Sequence, residues 1–370
     1  MKVIKLCFLL MLTVLLCVGC VSSNQQEENV KKELSSKKEA QKSEDKPKTN
    51  KKTLAIPLEV NEEQFSTVLD WMDEETLFYT TNSPVGTKIH TYNIFTGEST
   101  LFYELDAPLV QFEANVNQSL FFIHTSPSPD VAEILIIDDD AKLQYKANIK
   151  TNELEYTWNQ VNGEQLFISS FDENWSFSTS ILNVDTKQMI DNPFEIPFIQ
   201  WARDSDITYL KWDQDIPALT APLYSYDINK KTESLISNDV VANTNFINVM
   251  STIELIDNHG TAYVKFYRYD DHKLLSEMKT RLVSLFSEWS VPSHDMHNDL
   301  YVTVEVDENL STYSLISFNY KTKKKETIYS NLENLPIKIS PDGQYVLYGA
   351  SLEYIIDIKN KQMQDIIKLA

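Results

Sequence analysis

The chain is short of cysteine, glycine and long apolar runs, and each shortage closes off a class of function. All three cysteines (Cys7, Cys17 and Cys20) lie in the first twenty residues. The chain beyond them can form no disulfide, Cys-based metal site or thiol nucleophile. Beyond residue 52 there are six glycines (Gly86, Gly97, Gly163, Gly260, Gly343 and Gly349), scattered singly. No phosphate-cradling loop, dinucleotide fingerprint or Gly-x-Ser-x-Gly elbow can be assembled from them. The first apolar run, Leu6 to Val18, is shorter than the roughly 20 residues a membrane-spanning helix needs. Basic charge is scarce too. The whole chain carries −21, of which residues 1–19 contribute +2 and residues 21–52 +3, so residues 53–370 carry −26. Such a surface repels nucleic acid and anionic polymers, and nucleic-acid binding is excluded.

What is present begins with an export signal. Lys2 and Lys5 precede the apolar run, and Gly19-Cys20 follows it. A small residue before Cys at the end of such a run resembles the lipobox of bacterial lipoproteins, although Cys17 stands where Leu is usual. The resemblance implies cleavage before Cys20 and lipidation of its thiol. The expected organisation is a signal peptide at 1–19, a lipidated Cys20 with a charged linker through 52, and a folded domain at 53–370. Residues 21–52 hold nine Lys and six acids with almost no aromatic or β-branched residues. A segment of that composition cannot offset its ordering entropy by burial and is expected to be a disordered tether. The expected location is the extracytoplasmic face of the cell membrane.

Residues 53–370 read as short alternating runs rich in Tyr, Phe, Thr, Ile and Val, broken by Asn, Asp, Gly and Ser. One unit recurs, an apolar run closed by a polar turn: "IHTYNIFTGES", "EILIIDDDAKL", "TSILNVDTKQM", "PLYSYDINKKTES", "VKFYRYDDHKL", "SLISFNYKTKKKET" and "YIIDIKNKQMQ". Taking Ile94, Ile137, Val184, Ile228, Tyr269, Tyr320 and Ile358 as equivalent gives six steps averaging 44 residues. That period predicts an all-β fold, a β-propeller of four-stranded blades. The count is seven, with six compatible because the fifth unit is irregular. A pair of β-sandwiches competes, but would break the even spacing. Only Lys273 to Phe286 has a spacing that predicts a helix. With Cys20, the charged tether and the pattern "WMDEETLFYTTN…KIHTYNIFTGEST", the chain resembles the YqgU-like β-propeller lipoproteins of Gram-positive bacteria. The resemblance implies fold and location, and no activity or catalytic residue.

Candidate chemistry is sparse. Trp71, Trp158, Trp201 and Trp289 fall near the ends of expected inner strands and are expected as wedges between blades. The loops between second and third strands, "NSPVG", "SPSPD", "FDENW", "KWDQDIPALTAP" and "VDENLS", bring Asp130, Asp172, Glu173, Asp213, Asp215, Asp307 and Glu308 to one face with Trp175 and Trp212. Asp172, Trp175, Trp212, Asp213, Asp215 and Asp307 are the expected binding residues. "HDMHND" (His294 to Asp299) lacks the third and fourth ligands of a zinc site and reads as a polar turn, as does Asp138 to Asp140. No catalytic residue, metal ligand or organic cofactor is expected, although a hard cation such as calcium suits the acidic loops. Three readings follow: a non-catalytic binding module for a protein, peptide or wall-derived ligand; a hydrolase or lyase acting on wall or extracellular glycans; and a cation-dependent structural or sensory lipoprotein. A monomer is expected.

Overall fold

The structure is a computed structural model that describes residues 53–370 apart from 160, 192, 214–217, 286 and 287. Cys20, the tether and Asp215 lie outside the described residues. Among the described residues there is no helix, and most of the strands form seven antiparallel blades in chain order, five of them separate four-stranded sheets and blades 4 and 5 one seven-stranded sheet with a shared strand. Blade 1 is Phe65–Trp71, Thr76–Asn82, Thr87–Asn93 and Ser99–Leu105; blade 2 is Leu109–Ala114, Leu120–Ser128, Val131–Asp138 and Leu143–Lys150. Blade 3 is Glu153–Trp158, Gln165–Phe171, Phe177–Asn183 and Gln188–Asp191. Blade 4 opens with Gln200–Trp201, Asp206–Leu210 and Ala221–Asp227, and its outer edge is the first part of the long strand Thr232–Asn245. That strand kinks at Val240 and continues as the inner strand of blade 5, ahead of Met250–Leu255, Thr261–Tyr267 and Leu274–Arg281. Blade 6 is His294–His297, Leu300–Val306, Tyr313–Asn319 and Lys324–Leu332; blade 7 is Ile337–Ile339, Tyr345–Tyr348, Tyr354–Asp357 and Gln362–Asp365.

The repeated polar turn has a local cause. At the end of the third strand an Asn or Asp accepts hydrogen bonds from backbone N–H groups two or three residues on, as Asn93, Asn183, Asp227, Asn319 and Asp357 do. The turn then needs one residue with positive φ, supplied by Gly97, Lys187, Lys231, Lys323 and Lys361. The next backbone N–H bonds back to the turn between the first two strands. Ile94, Val184, Ile228, Tyr320 and Ile358 all make this contact, so these five equivalent residues share one structural role.

Blades that bury both faces must be covered by their neighbours, and seven apolar clusters do this. Phe78, Ile89 and Phe121 join blades 1 and 2, and Phe122, Ile136, Trp158 and Leu166 join blades 2 and 3. Trp201 and Phe167 fill the seam between blades 3 and 4; Leu223 and Met250 that between 4 and 5; Phe266 and Tyr301 that between 5 and 6; Val304 and Val346 that between 6 and 7. The seventh cluster joins Trp71 and Leu77 to Leu347 and Ile355, which closes blade 7 onto blade 1. Blades 1 and 7 each supply their own four strands, so closure uses no exchanged strand. Instead Leu58–Val60 pairs in parallel with Ile367–Leu369, and the Asp70–Lys338 ion pair at 3.0 Å joins the inner strands of blades 1 and 7.

Three expectations are corrected here. Leu274–Arg281 is the outer strand of blade 5, not part of a helix: Ser276, Met278 and Thr280 are buried while Glu277, Lys279 and Arg281 face water, a period of two. Trp289 is not on an inner strand. It belongs to an inserted hairpin, Val283–Leu285 with Glu288–Ser290, and packs against the cluster between blades 5 and 6. That insertion accounts for the irregular fifth unit. "HDMH" is the inner strand of blade 6, not a turn, because Asp295 and His294 make contacts to neighbouring blades.

Candidate site on the propeller axis

Aligning the blades by their first turn puts Trp71, Ala114, Trp158, Trp201, Asn245, Met296 and Ile339 in one position. In five blades the next residue's N–H closes the same turn, and in blade 5 the N–H of Phe246 does so. One residue earlier stand Asp70, Glu113, Thr157, Gln200, Thr244, Asp295 and Lys338, all polar and all lining the axis. Each inner strand sits against the next, and these side chains clamp successive blades. The Tyr156 hydroxyl hydrogen-bonds Glu113. Gln200 donates to Asn243 O at 2.8 Å and accepts from Asn245 N at 2.9 Å. Thr244 Oγ1 meets His294 Nε2 at 2.7 Å, and Asp295 accepts from Ile339 N at 2.9 Å. Lys338 meets Asp70 across the closing seam.

Two cavities open along this ring and share Thr244 and Asn245 in their walls. The first, about 520 Å3, lies against blades 3, 4 and 5 and is lined by Thr157, Gln200, Thr208, Asn243 and Asn245, with Phe198 and Trp212 at its mouth. It opens toward the loops between second and third strands. Phe198 is 58% exposed and stacks on Phe171 at 5.4 Å, which in turn meets Trp175, 67% exposed, at 5.9 Å. Trp212 is 46% exposed. Trp212 thus stands at the opening on blade 4, and the rings of Phe198 and Phe171 run from the cavity to Trp175 on blade 3.

The loop acids have different duties. Asp172 accepts from Asn174 N and Ser176 N at 2.8 and 2.9 Å, and Trp175 takes positive φ in the same turn. Asp307 likewise accepts from Ser311 N at 2.8 Å and from its hydroxyl at 3.0 Å, and Asp130 accepts from Ser128 Oγ. The donors around Asp307 hold its carboxyl below the usual carboxylate range. Asp172 and Asp307 each tie their own loop, on blades 3 and 6; Asp213 follows Trp212 on blade 4. Among the described residues no three His, Cys, Asp or Glu side chains gather to hold a metal.

The second cavity, about 510 Å3, opens toward the turns between first and second strands. Asp70, Glu113, Asp295 and Lys338 line it with Asn245, His294 and Met296. Burial raises the Glu113 and Asp295 carboxyls above their ordinary values, with Lys338 opposing the shift in each. Lys338 is held protonated, chiefly by Asp70. His294 donates from Nδ1 to Pro292 O at 2.9 Å, so Nε2 accepts from Thr244; burial holds the ring below its ordinary value and neutral.

The axial residues escaped the reading of loops. Their signal was in the sequence: positions 70, 113, 157, 200, 244, 295 and 338 recur every 43 or 44 residues, with one step of 51 where the hairpin is inserted.

A family model described as a YqgU-like 6-bladed beta propeller domain matches residues 93–349. The chain belongs to this family. The matched span holds blades 2 to 6 whole, with the outer strand of blade 1 and the first two strands of blade 7, so the family description and the seven seams differ at the ring's ends. The chain is 26% identical to the uncharacterized lipoprotein YqgU of Bacillus subtilis (strain 168), over 98% of this chain and 97% of that one. Its fold is similar to the crystal structure of uncharacterized protein lmo1340 from Listeria monocytogenes EGD-e, with a TM-score of 0.79, 19% identity and coverage of 86% and 98% of the two chains. A more distant likeness is to oligogalacturonate lyase from Vibrio parahaemolyticus: TM-score 0.54, 10% identity, 78% and 86% covered. That likeness is one of fold alone.

Proposed function

We propose that this chain is a lipid-anchored binding module held on the extracytoplasmic face of the cell membrane through Cys20, with a neutral polar ligand seated at the aromatic mouth of the first cavity. The anchor reading rests on the Lys2/Lys5, apolar run and Gly19-Cys20 pattern, and on the Bacillus subtilis relative being named a lipoprotein. Incorporation of labelled palmitate, lost in Cys20→Ala, tests it.

The binding reading rests on one observation: Trp212 and Phe198 stand exposed at a cavity whose polar wall is mostly amides and hydroxyls, beside one carboxyl, Glu155, which burial shifts upward. Flat aromatic faces stack on apolar faces of a sugar ring or peptide, and planar amides give directed hydrogen bonds without a charge requirement. Asp172, Trp175, Asp213 and Asp307 belong to loops around this face, where Trp175 extends the aromatic surface and Asp172 and Asp307 fix loop shape. Glu155 is the one carboxyl among the described residues that line the cavity, whereas glycoside hydrolysis uses a pair, which favours binding over hydrolysis. Titrating soluble wall fragments and neutral oligosaccharides while following tryptophan fluorescence is the test. Saturable quenching that Trp212→Ala weakens at least about tenfold supports the reading. Unchanged affinity in Trp212→Ala and Phe198→Ala would dispose of it.

A further inference from the structure

The first cavity lies where the inner strand of blade 4 is cut short. In blade 3 the inner strand Glu153–Trp158 pairs along its whole length with the second strand, whereas in blade 4 only Gln200 and Trp201 pair, with Thr208 and Ile207. The chain ahead of them is drawn toward blade 3: Pro197 O accepts from Ser169 Oγ at 2.6 Å, and Phe198 stacks on Phe171. The second strand of blade 4, Asp206–Leu210, therefore runs on past the end of its inner partner.

The backbone left uncovered there has a definite direction. On the inner side, Asp206 O accepts from Ala202 N at 2.8 Å and Thr208 pairs with Gln200. Lys211 N donates the other way, to Pro222 O on the third strand at 2.9 Å. Successive residues of a strand turn their N–H and C=O to opposite edges, so Leu210 turns both groups to the inner side, where it lines the first cavity. Neither group has a hydrogen-bond partner among the described residues.

We propose that an extended peptide binds in the first cavity by adding a strand antiparallel to Asp206–Leu210, in line with Gln200–Trp201. This names the ligand class of the aromatic-mouth site and rests on that reading. A peptide residue opposite Leu210 supplies a donor and an acceptor at the spacing an antiparallel pair requires, which a sugar ring does not. Strand side chains alternate, so one set of the peptide's meets blade 3 at Glu155, Thr157 and Phe167, and the other meets blade 5 at Val241 and Asn243. Glu155 and the −26 charge of residues 53–370 disfavour acidic peptides.

The test titrates the full-length protein in detergent with capped heptapeptides from a random library lacking Asp and Glu, following tryptophan fluorescence. Saturable quenching is expected, and Leu210→Pro, which removes the edge N–H, is expected to weaken it about tenfold or more. A second measurement needs no protein variant: methylating the peptide's backbone nitrogens one at a time is expected to abolish binding at the position opposite Leu210 and to spare its immediate neighbours. Equal affinity across the methylated series would overturn the proposal, as would unchanged peptide affinity in a Leu210→Pro variant that melts like the natural protein. Saturable binding of neutral oligosaccharides, weakened by Trp212→Ala, with no heptapeptide bound would also overturn it, while keeping the aromatic mouth as a binding site for a glycan. Binding of neither class removes both readings.

Discussion

At the scale of single residues, stability concentrates in wedges and in one buried carboxylate. Trp158 is fully buried between blades 2 and 3. Trp158→Ala is expected to cost about 3–5 kcal/mol in a denaturant titration, since the neighbouring sheets cannot collapse into the gap. Glu254 accepts from Thr252, Ser237, Lys265 and Tyr267 at 2.7 to 2.8 Å. Burial would raise its carboxyl, but these four donors outweigh burial and the net shift is downward. A carboxyl with a depressed folded value contributes stability that is fully present above the ordinary value near 4.5 and is lost as pH falls through the depressed one. Glu254→Gln is therefore expected to lower the melting temperature most near pH 7, with the gap closing below about pH 4. Glu113 has the opposite sign. Its raised carboxyl favours the fold below the ordinary value and loses that contribution as pH rises through the folded one, so Glu113→Gln is expected to be as stable as the natural protein, or more so, at pH 8. The same residues set the limit of sequence reading. An Asp in a loop looks alike whether it caps a turn or meets a ligand, and Asp172 and Asp307 turn out to hold backbone N–H groups.

At the scale of elements, what could be read depended on how local the cause was. The third strand and its polar turn are fixed by an Asx cap and one positive-φ residue a few positions apart, so Asn93-to-Glu98 and its counterparts were legible. The turn Ser340-Pro341-Asp342-Gly343 was legible for the same reason: Pro presets one position, and Gly343 takes φ +71° where a Cβ would meet His297 at 2.6 Å. Gly343→Ala should destabilise by about 1–3 kcal/mol through that clash and the left-handed backbone, measurable by thermal melting. The helix expected at Lys273 to Phe286 failed because Leu274, Leu275, Met278 and Leu282 sit at helical spacing. In the fold the sheet chooses the other set, Ser276, Met278 and Thr280, and leaves both leucines exposed. Tertiary packing overrides local pattern at such edges. The double use of Thr232–Asn245 was likewise unreadable, since one continuous strand changes partners at Val240.

At the scale of the whole folded unit, a period of about 44 residues is enough to announce a propeller but not to close it. Closure depends on contacts between Trp71 and Lys338, Thr67 and Ser351, and the parallel pair Leu58–Val60 with Ile367–Leu369, which lie hundreds of residues apart. The polar ring on the axis arises at this scale too, because seven side chains that look unrelated along the chain become neighbours only when the ring forms. Blade 7 docks on blade 1 through Asp70 and Lys338, and this contact encloses the axis. A double-mutant cycle with Asp70→Asn, Lys338→Met and both together, read by denaturant unfolding, tests it most directly. A coupling of about 1–2 kcal/mol is predicted, modest because the pair faces water in the lumen. Additive effects within about 0.3 kcal/mol would mean the two residues do not meet, and the closed ring would be contradicted.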